Sequence, residues 1–312
     1  MGNERGSMIH IAFCFDSNMM RQACAAIASL LDSRDNGTHF HIYCICTEKE
    51  LQIKPYLRKI VQTRDTESIV TFHRNTMDLD KGYVTRGITV STYYRLNLHR
   101  MFPDVKKMLY SDVDILFRGD VRPVWDIDLK DSFLAGVRAD VNIKEVWDRH
   151  YKDEYWHQLD DWFGNYINAG FLLMNLEEIR KRHMEKVWKG MHENRFFFQD
   201  QDILNLTCKP DITHLPMRFN RMMFYTDEEL CLLKRYKVVR WMELEEALDS
   251  PAVIHYAGAK PWDKYGVNGA ELWWRYVLKD EGLKRLFRKE AIQYKIYSLF
   301  KRIGRRFEKE DC

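Results

Sequence analysis

The first third of the chain alternates short apolar runs with segments of helical periodicity, and this alternation constrains the fold more than any other feature. Ile9 to Phe15, Phe40 to Cys46 and Ser68 to Phe72 have the length and composition of strands. Between them, Met20 to Leu31 and Glu48 to Thr63 have helical patterns. Strands that alternate with helices typically form a mostly parallel, doubly wound sheet. We therefore expect an α/β fold with helices on both faces of the sheet.

Later segments extend this pattern. Lys107 to Tyr110, Phe133 to Val137, Ile167 to Met174 and Val253 to Tyr256 have the composition of strands. Helices are expected at Gly87 to His99, at Gln201 to Thr207, and from Asn175, where Glu178 would complete a capping box on a long helix. After Gly269 the pattern is helical to the end, with an interruption near Gly282.

We accordingly predict three parts. Residues 1–7 are polar and are expected to be a flexible start, native or added by cloning. Residues 8–268 form the α/β domain, and residues 269–312 form a helical, basic extension.

Charge is distributed unevenly. The 312 residues include 49 basic and 46 acidic side chains, a net charge of +3. From Leu283 to Lys309 there are ten basic and two acidic residues, a net +8, which leaves 3 − 8 = −5 for the remainder. Apolar residues recur at helical spacing among these basic residues, from Ile292 to Phe307. The segment is either a solvated helix that packs its apolar face on the domain or an interfacial helix that binds anionic lipid.

Cysteine usage and hydropathy bear on the cellular compartment. The seven cysteines are odd in number and form no CxxC pair, which favours a reducing environment over a disulfide framework. We expect no signal peptide before the first strand, and no apolar stretch of the sequence reaches the ~18 residues that span a bilayer. We expect a cytoplasmic protein, with peripheral contact to the inner face of the membrane through residues 283–309 as one possibility.

Four Asp-x-Asp pairs occur, and only one lies where an apolar strand ends. These pairs are Asp78/Asp80, Asp112/Asp114, Asp126/Asp128 and Asp200/Asp202. Asp112 and Asp114 follow the strand Lys107 to Tyr110, and ligands bind at the carboxyl ends of strands in such sheets. Two carboxylates at alternate positions can hold one hard divalent cation. The other three pairs could be solvated residues of turns or helices.

Further candidates have both structural and functional interpretations. His255 ends a strand and precedes a loop with Gly258 and Lys260, which suits a phosphate beside a metal ion, although a lone histidine is usually structural. Asp16 and Asn18 could cap the first helix or bind a nucleoside at the first βα turn. Asp200 and its neighbours could be an acidic helix start or contact a sugar. Arg95 could lie on the surface or face a diphosphate.

Four blocks of sequence occur in a definite order along the chain. They are LYSDVDIL (Leu109 to Leu116), INAGFLLMNL (Ile167 to Leu176), QDQDILN (Gln199 to Asn205) and HYAGAKPW (His255 to Trp262). Together these blocks resemble the signatures of family 8 glycosyltransferases, a retaining family with the GT-A fold. Within that family the chain is most similar to bacterial lipopolysaccharide galactosyl- and glucosyltransferases.

The resemblance implies both an activity and a set of site residues. The activity is transfer of glucose or galactose from a UDP-sugar to a glycan, with lipopolysaccharide or lipooligosaccharide core as acceptor and Mn²⁺ or Mg²⁺ as cofactor. The implied metal ligands are Asp112, Asp114 and His255. The implied donor contacts are Asp16, Asn18, Arg95, Asp112, Val113, Gly258 and Lys260. The residues implied around the transferred sugar are Asp140, Asn168, Asp200 and Gln201.

Other functions stay open at this point. A glycogenin-like transferase would extend a glucan or its own tyrosine, and a nucleotide-sugar-binding module would retain the site without turnover. Nucleic-acid binding through the basic tail is the least favoured. For the reaction itself, the Gln201 amide is a weak nucleophile and a double displacement through Asp200 stays open, but the resemblance implies same-face attack by the acceptor.

Overall fold

A computed structural model describes residues 8–46, 52–76, 82–85, 88–139, 154–159, 161–223 and 241–310. Residues 1–7, for which a flexible start is predicted, lie outside these ranges, as does the candidate Asp140. The strands in these ranges are β1 (Ile9–Cys14), β2 (Phe40–Cys46), β3 (Ile69–Arg74), β4 (Lys107–Ser111), β5 (Ile115–Phe117), β6 (Leu134–Arg138), β7 (Ile167–Asn175), β8 (Ile212–His214), β9 (Arg221–Met222) and β10 (Val253–His255).

The helices lie between these strands and after the last of them. They are α1 (Met20–Asp32), α2 (Lys54–Arg64), α3 (Leu98–Met101), α4 (Arg122–Trp125), α5 (Leu176–Lys181), α6 (Met184–Trp188), α7 (Asp200–Cys208), α8 (Trp241–Asp249), α9 (Ala270–Lys279), α10 (Glu281–Leu286) and α11 (Arg288–Glu310). Short 3-10 segments complete the connections, and the longest of them spans Val90–Asn97.

The main sheet has seven strands in the order β3-β2-β1-β4-β7-β6-β8. All neighbouring pairs are parallel except those of β7, which runs antiparallel to both β4 and β6. Apolar side chains cover both faces of β1, since Ile11 and Phe13 pack in one core cluster and Ala12 in another. Burial on both faces is expected where parallel strands lie between two layers of helices. The predicted mostly parallel α/β fold is confirmed.

A second, smaller sheet joins distant parts of the chain in the order β5-β10-β9. Strand β10 pairs antiparallel with β5, with His255 opposite Ile115. The backbone N–H of Tyr256 donates to the carbonyl of Asp114 at 2.9 Å. This pairing places the end of β10 against the turn that follows β4.

Two helical predictions differ from the structure. Asn175 does cap a helix, since its side chain accepts from the Glu178 N–H at 3.1 Å, but that helix ends at Lys181. The break follows at His183, which has a left-handed backbone (φ 54°), and a second helix begins at Met184. The helix expected over Gly87 to His99 is a 3-10 segment, Val90–Asn97, that continues into α3.

The carboxyl-terminal helices begin as part of the core. Trp273 and Trp274 of α9 are fully buried, as is Phe287, and Trp274 stacks on Tyr294 with ring centroids 5.1 Å apart. The helical interruption lies at Asp280, whose side chain accepts from the Leu283 N–H at 2.7 Å and starts α10. Gly282, where the interruption was predicted, is inside that helix. The division at residue 268 stays a prediction.

The later turns of α11 are exposed. Ile292, Ile296, Leu299 and Phe300 are 51–67% exposed and recur at helical spacing. Among the residues that the structure describes, no helix combines the length and apolar character needed to cross a membrane.

A buried histidine makes the fold sensitive to acid. His99 is 2% exposed, lies edge-on to Trp188, and burial lowers its pKa from 6.5 to about 4, partly offset by Glu185. Because the unfolded chain takes up this proton near pH 6.5 and the folded chain does so only near pH 4, stability is lost as the pH falls through this window. We expect the unfolding free energy to drop by about 2 kcal/mol between pH 7 and pH 5 from this residue alone.

Urea denaturation of the wild type and of His99→Phe at pH 7 and pH 5 measures the contribution of His99 to the free energy of unfolding. The variant should lose less stability on acidification than the wild type. Equal losses would show that His99 is not the group responsible.

Candidate active site

A cavity of about 530 Å³ opens at the carboxyl end of β1 and β4. Its wall also includes Asn168 near the start of β7, His255 at the end of β10, and the start of α7. This is the edge at which ligands bind in doubly wound sheets, and the volume lies in the range of small-molecule sites. The predicted site residues that line it are Asp16, Asn18, Arg95, Asp112, Val113, Asp114, Asn168, Asp200, Gln201, His255, Gly258 and Lys260.

Asp112, Asp114 and His255 meet at the centre of this cavity. One ligand atom from each lies within 4.8 Å of the others. The Nε2 atom of His255 is 3.3 Å from Oδ1 of Asp114 and 3.8 Å from Oδ2 of Asp112. Among the described residues, nothing donates a hydrogen bond to the buried Oδ1 of Asp114. Two carboxylates, an imidazole and an unsatisfied buried oxygen fit a hard divalent cation.

Gly170 makes the position of the His255 ring possible. A Cβ at this residue would lie 2.1 Å from Cε1 and 2.7 Å from Nδ1 of His255. The glycine also holds the turn after β4, because its carbonyl accepts from the Asp112 N–H at 2.8 Å. The Asn-Ala-Gly block therefore lies at the candidate metal site for a steric reason, since a Cβ at Gly170 would overlap the His255 ring.

Arg95 is a buried cation that joins two acidic residues of the site. Its guanidinium is 2.9 Å from Oδ1 of Asp112 and 2.8 Å from Oδ2 of Asp200, and it donates to the carbonyl of Ala169. The same group lies over the ring of Tyr110, 4.1 Å from its centroid, while the Tyr110 hydroxyl donates to Asp112 at 2.6 Å. Although Arg95 lines the cavity, these contacts direct its charge at the carboxylates.

Lys260 lies on the other side of the cluster. Its ammonium donates to Oδ2 of Asp114 and, at 2.6 Å, to the carbonyl of Tyr256. Burial by itself raises the pKa of Asp114, but the Lys260 ammonium and the adjacent imidazole of His255 outweigh this effect and hold that pKa below its ordinary value. Asp114 therefore stays ionised in the folded protein, as a metal ligand must.

Gln201 and Asn168 form a fixed pair of amides beside the cluster. Oε1 of Gln201 accepts from Asn168 Nδ2 at 2.9 Å and from the Ala169 N–H at 3.0 Å. Its Nε2 lies 3.2 Å from the hydroxyl of Tyr166. With both ends of the amide bonded, the Gln201 side chain has one defined orientation.

The acidic residues of α7 are buried. Asp200 is 3% exposed and accepts from the Thr92 hydroxyl, and burial raises its pKa to about 6 despite the nearby Arg95. Asp202 is fully buried, accepts from the Phe198 N–H at 2.8 Å and from tyrosine hydroxyls, and burial raises its pKa to about 6 as well. These two carboxylates differ from an exposed acidic helix start.

The end of the cavity that Asp16 and Asn18 line is more open. The Asp16 side chain accepts from the Asn18 N–H at 2.8 Å, so it does cap the turn that leads into α1, and it lines the cavity as well. Asn18 and Gly258 are exposed. Both the structural and the functional interpretation of Asp16 therefore agree with its position.

Sequence patterns did not single out Asn220, which is fully buried at the site and bonds to His255 and to Asn168. Gln199 begins the QDQD block noted in the sequence. It is also fully buried, lines the cavity and has a left-handed backbone (φ 54°), a strained conformation of the kind found at functional sites.

The chain matches the family model "Glycosyl transferase family 8" over residues 10–266. It belongs to glycosyltransferase family 8. The resemblance stated from the sequence is thereby confirmed, and the chain is a glycosyltransferase.

Relatives and solved structures agree with this assignment. The lipopolysaccharide 1,3-galactosyltransferase of Salmonella typhimurium is 26% identical over 266 residues, which are 82% of this chain and 74% of that protein. A relative from Haemophilus influenzae is 32% identical over 182 residues, 57% of this chain, and the match spans half the length of that protein. The galactosyltransferase LgtC, solved with donor and acceptor sugar analogues, has a TM-score of 0.67 at 26% identity, covering 86% of this chain and 95% of that one.

The steric role of Gly170 can be tested directly. Gly170→Ala should weaken the binding of Mn²⁺ together with UDP by at least about tenfold, because the His255 ring must move away from the carboxylates. Gly164→Ala is the matched control, since a Cβ there meets nothing within 4 Å. Titration calorimetry of both variants, with thermal denaturation to verify folding, makes the comparison. Wild-type affinity in a folded Gly170→Ala protein would contradict the arrangement described.

Proposed function

We propose that this family 8 glycosyltransferase moves glucose or galactose from a UDP-sugar to the core glycan of a lipopolysaccharide or lipooligosaccharide, with retention at the anomeric carbon. The observation that carries the proposal is the convergence of Asp112, Asp114 and His255 in one cavity with Lys260 beside them. The names of relatives from Salmonella typhimurium and Escherichia coli, which are lipopolysaccharide galactosyl- and glucosyltransferases, support the acceptor class.

The donor end is assigned by charge. Asp112, Asp114 and His255 would hold Mn²⁺ or Mg²⁺, which supplies Lewis-acid stabilisation to the departing diphosphate. Lys260 is partly exposed and bonded to Asp114, and we propose that it turns to the diphosphate once a cation neutralises that carboxylate. Gly258 allows the backbone to approach the phosphate oxygens, and Asp16, Asn18 and Val113 line the nucleoside end.

The sugar end favours attack of the acceptor on the face from which UDP leaves. Both acceptor positions of Gln201 Oε1 are already used by Asn168 and Ala169, so its amide oxygen has little capacity to attack carbon. Asp200 faces Arg95 and accepts from Thr92, which stabilises the carboxylate as a charge partner and reduces its nucleophilicity. We therefore propose that Asp200, Asn168 and Gln201 orient the sugar, and that a phosphate oxygen of UDP accepts the proton of the acceptor. Asp140 stays a predicted sugar contact.

The basic tail supports a location at a membrane surface. Its net charge of +8 complements anionic lipid, and the exposed apolar residues of α11 form a stripe that could enter the headgroup region. The first part of α11 is anchored, because Glu290 pairs with Arg21 at 2.9 Å and Tyr294 stacks on Trp274. We propose a cytoplasmic enzyme that docks on the inner face of the membrane, where a lipid-linked acceptor would be found.

A donor screen tests the activity. Release of UDP should be observed with UDP-glucose or UDP-galactose in the presence of Mn²⁺, and Asp114→Asn should lower the rate by at least about a hundredfold. Asp126→Asn, in another Asp-x-Asp pair with a 61% exposed side chain, is the matched control and should retain wild-type turnover. No UDP release from any nucleotide sugar, or an active Asp114→Asn enzyme, would overturn the proposal. Intact-mass measurement after incubation with donor alone detects a self-glucosylating enzyme.

The membrane contact is tested by a variant that leaves the core intact. The quadruple variant Ile292→Ser, Ile296→Ser, Leu299→Ser and Phe300→Ser should bind vesicles with anionic lipid about tenfold or more weakly than the wild type. Its turnover on a soluble acceptor should be unchanged. Serine at Tyr56 and Ile69, which are 54% and 47% exposed elsewhere on the surface, is the control. Flotation of the variant at the wild-type level would remove the tail from the proposal.

A further inference from the structure

Asn220 is a fully buried amide that connects the metal cluster to the sugar end of the site. It ends the 3-10 segment Met217–Asn220, immediately before β9. Its Oδ1 lies 2.9 Å from Nδ1 of His255, and its Nδ2 donates to Oδ1 of Asn168 at 2.8 Å. It therefore touches a candidate metal ligand with one end and a candidate sugar contact with the other.

Backbone donors determine the direction of every bond in this chain of amides. The Gly170 N–H donates to Oδ1 of Asn168 at 2.9 Å, and the Ala169 N–H donates to Oε1 of Gln201. A backbone N–H can only donate, so both of these side-chain atoms are oxygens. Asn220 must then present its NH₂ group to Asn168, and its own oxygen faces His255.

The proton on His255 follows from this chain. An amide oxygen accepts but cannot donate, so Nδ1 of His255 must carry a hydrogen. In the neutral ring, Nε2 then has the lone pair and points it at Asp112 and Asp114, 3.8 Å and 3.3 Å away. Three lone-pair atoms that face one another are what a cation requires, and the other imidazole tautomer would place a hydrogen in its way.

We propose that Asn220 is a positioning residue that holds His255 in the Nδ1–H tautomer and links it, through Asn168, to Gln201. The metal ligand and the sugar-orienting amides then form one hydrogen-bonded unit, so a displacement of His255 shifts Gln201, and the reverse. This inference rests on the proposed function for the roles of the metal and the sugar. The tautomer itself follows from contacts within the chain.

Two substitutions separate the two ends of Asn220. Asn220→Ala removes both hydrogen bonds, which frees the ring of His255. Asn220→Asp keeps an oxygen toward His255 but loses the donor to Asn168. Asn205→Ala is the matched control, because Asn205 is also fully buried and bonded, at Ile167 and the Gln201 carbonyl, without a contact to His255.

The first measurement is the tautomer in the metal-free protein. Long-range ¹H–¹⁵N spectra of ¹⁵N-histidine-labelled protein at pH 8.5, with His255→Gln used for assignment, should show a protonated Nδ1 and an unprotonated Nε2. Asn220→Asp and Asn205→Ala should keep this pattern, whereas Asn220→Ala should lose it. A neutral wild-type His255 ring with its hydrogen on Nε2 and none on Nδ1 would overturn the proposal without any variant.

The second measurement is Mn²⁺ affinity in the presence of UDP, followed by electron paramagnetic resonance. The affinity of Asn220→Ala for Mn²⁺ should fall by a factor of about ten or more. Asn220→Asp should keep its Mn²⁺ affinity within about threefold of the wild type, and its kcat should fall while its KM stays unchanged. Equal affinity in Asn220→Ala and wild type would overturn the proposal. If the wild type released no UDP from any donor, the proposed function would fail while the tautomer result would still stand on its own.

Discussion

The site holds three carboxylates close together, and neighbouring cations must offset the repulsion between them. Asp112, Asp114 and Asp200 share the cavity wall; Arg95 pairs with Asp112 and Asp200, and Lys260 pairs with Asp114. Arg95 is buried and bonded on several sides, so contacts within the protein fix the position of its charge. Lys260 is partly exposed, bonds Asp114 and comes from the loop after β10, so its charge can be exchanged for that of a divalent ion. A metal ion and an anionic diphosphate thus suit this site better together than either does alone.

The small sheet explains how Asp114 and His255, candidate metal ligands that are 141 positions apart, converge. Pairing of β10 with β5 places His255 opposite Ile115, one residue after Asp114. The antiparallel strand β7 then brings Asn168 and Gly170 to the same edge, since its amino end meets the carboxyl ends of the parallel strands. Glycine at 170 leaves the space that the imidazole fills. Close packing and hydrogen bonding, more than the acidic pair alone, define where a cation can lie.

Much of this could be predicted because it is local. The strand ends at Asp112 and His255 follow from apolar runs, and β2 was predicted to the residue. Contacts between distant segments were predictable only where the family resemblance implied them, as for Asp112, Asp114 and His255. Nothing near Asn220 marks it as the partner of His255, and nothing near Arg95 shows that it pairs with two acids instead of facing outward. The left-handed turn at His183 likewise breaks a helix whose side-chain pattern continues.

The buried part of the cavity is held by more hydrogen bonds than its exposed rim. The amides of Asn168, Asn220 and Gln201 have their orientations set by backbone donors, which suits a donor sugar that must be held in one pose for reaction. The rim is different, because Ala257, Gly258 and Ile88 are exposed. Substitution at the rim disturbs few buried contacts, whereas substitution in the amide chain leaves a buried polar group unpaired. The buried amide chain should therefore tolerate substitution less well than the exposed rim.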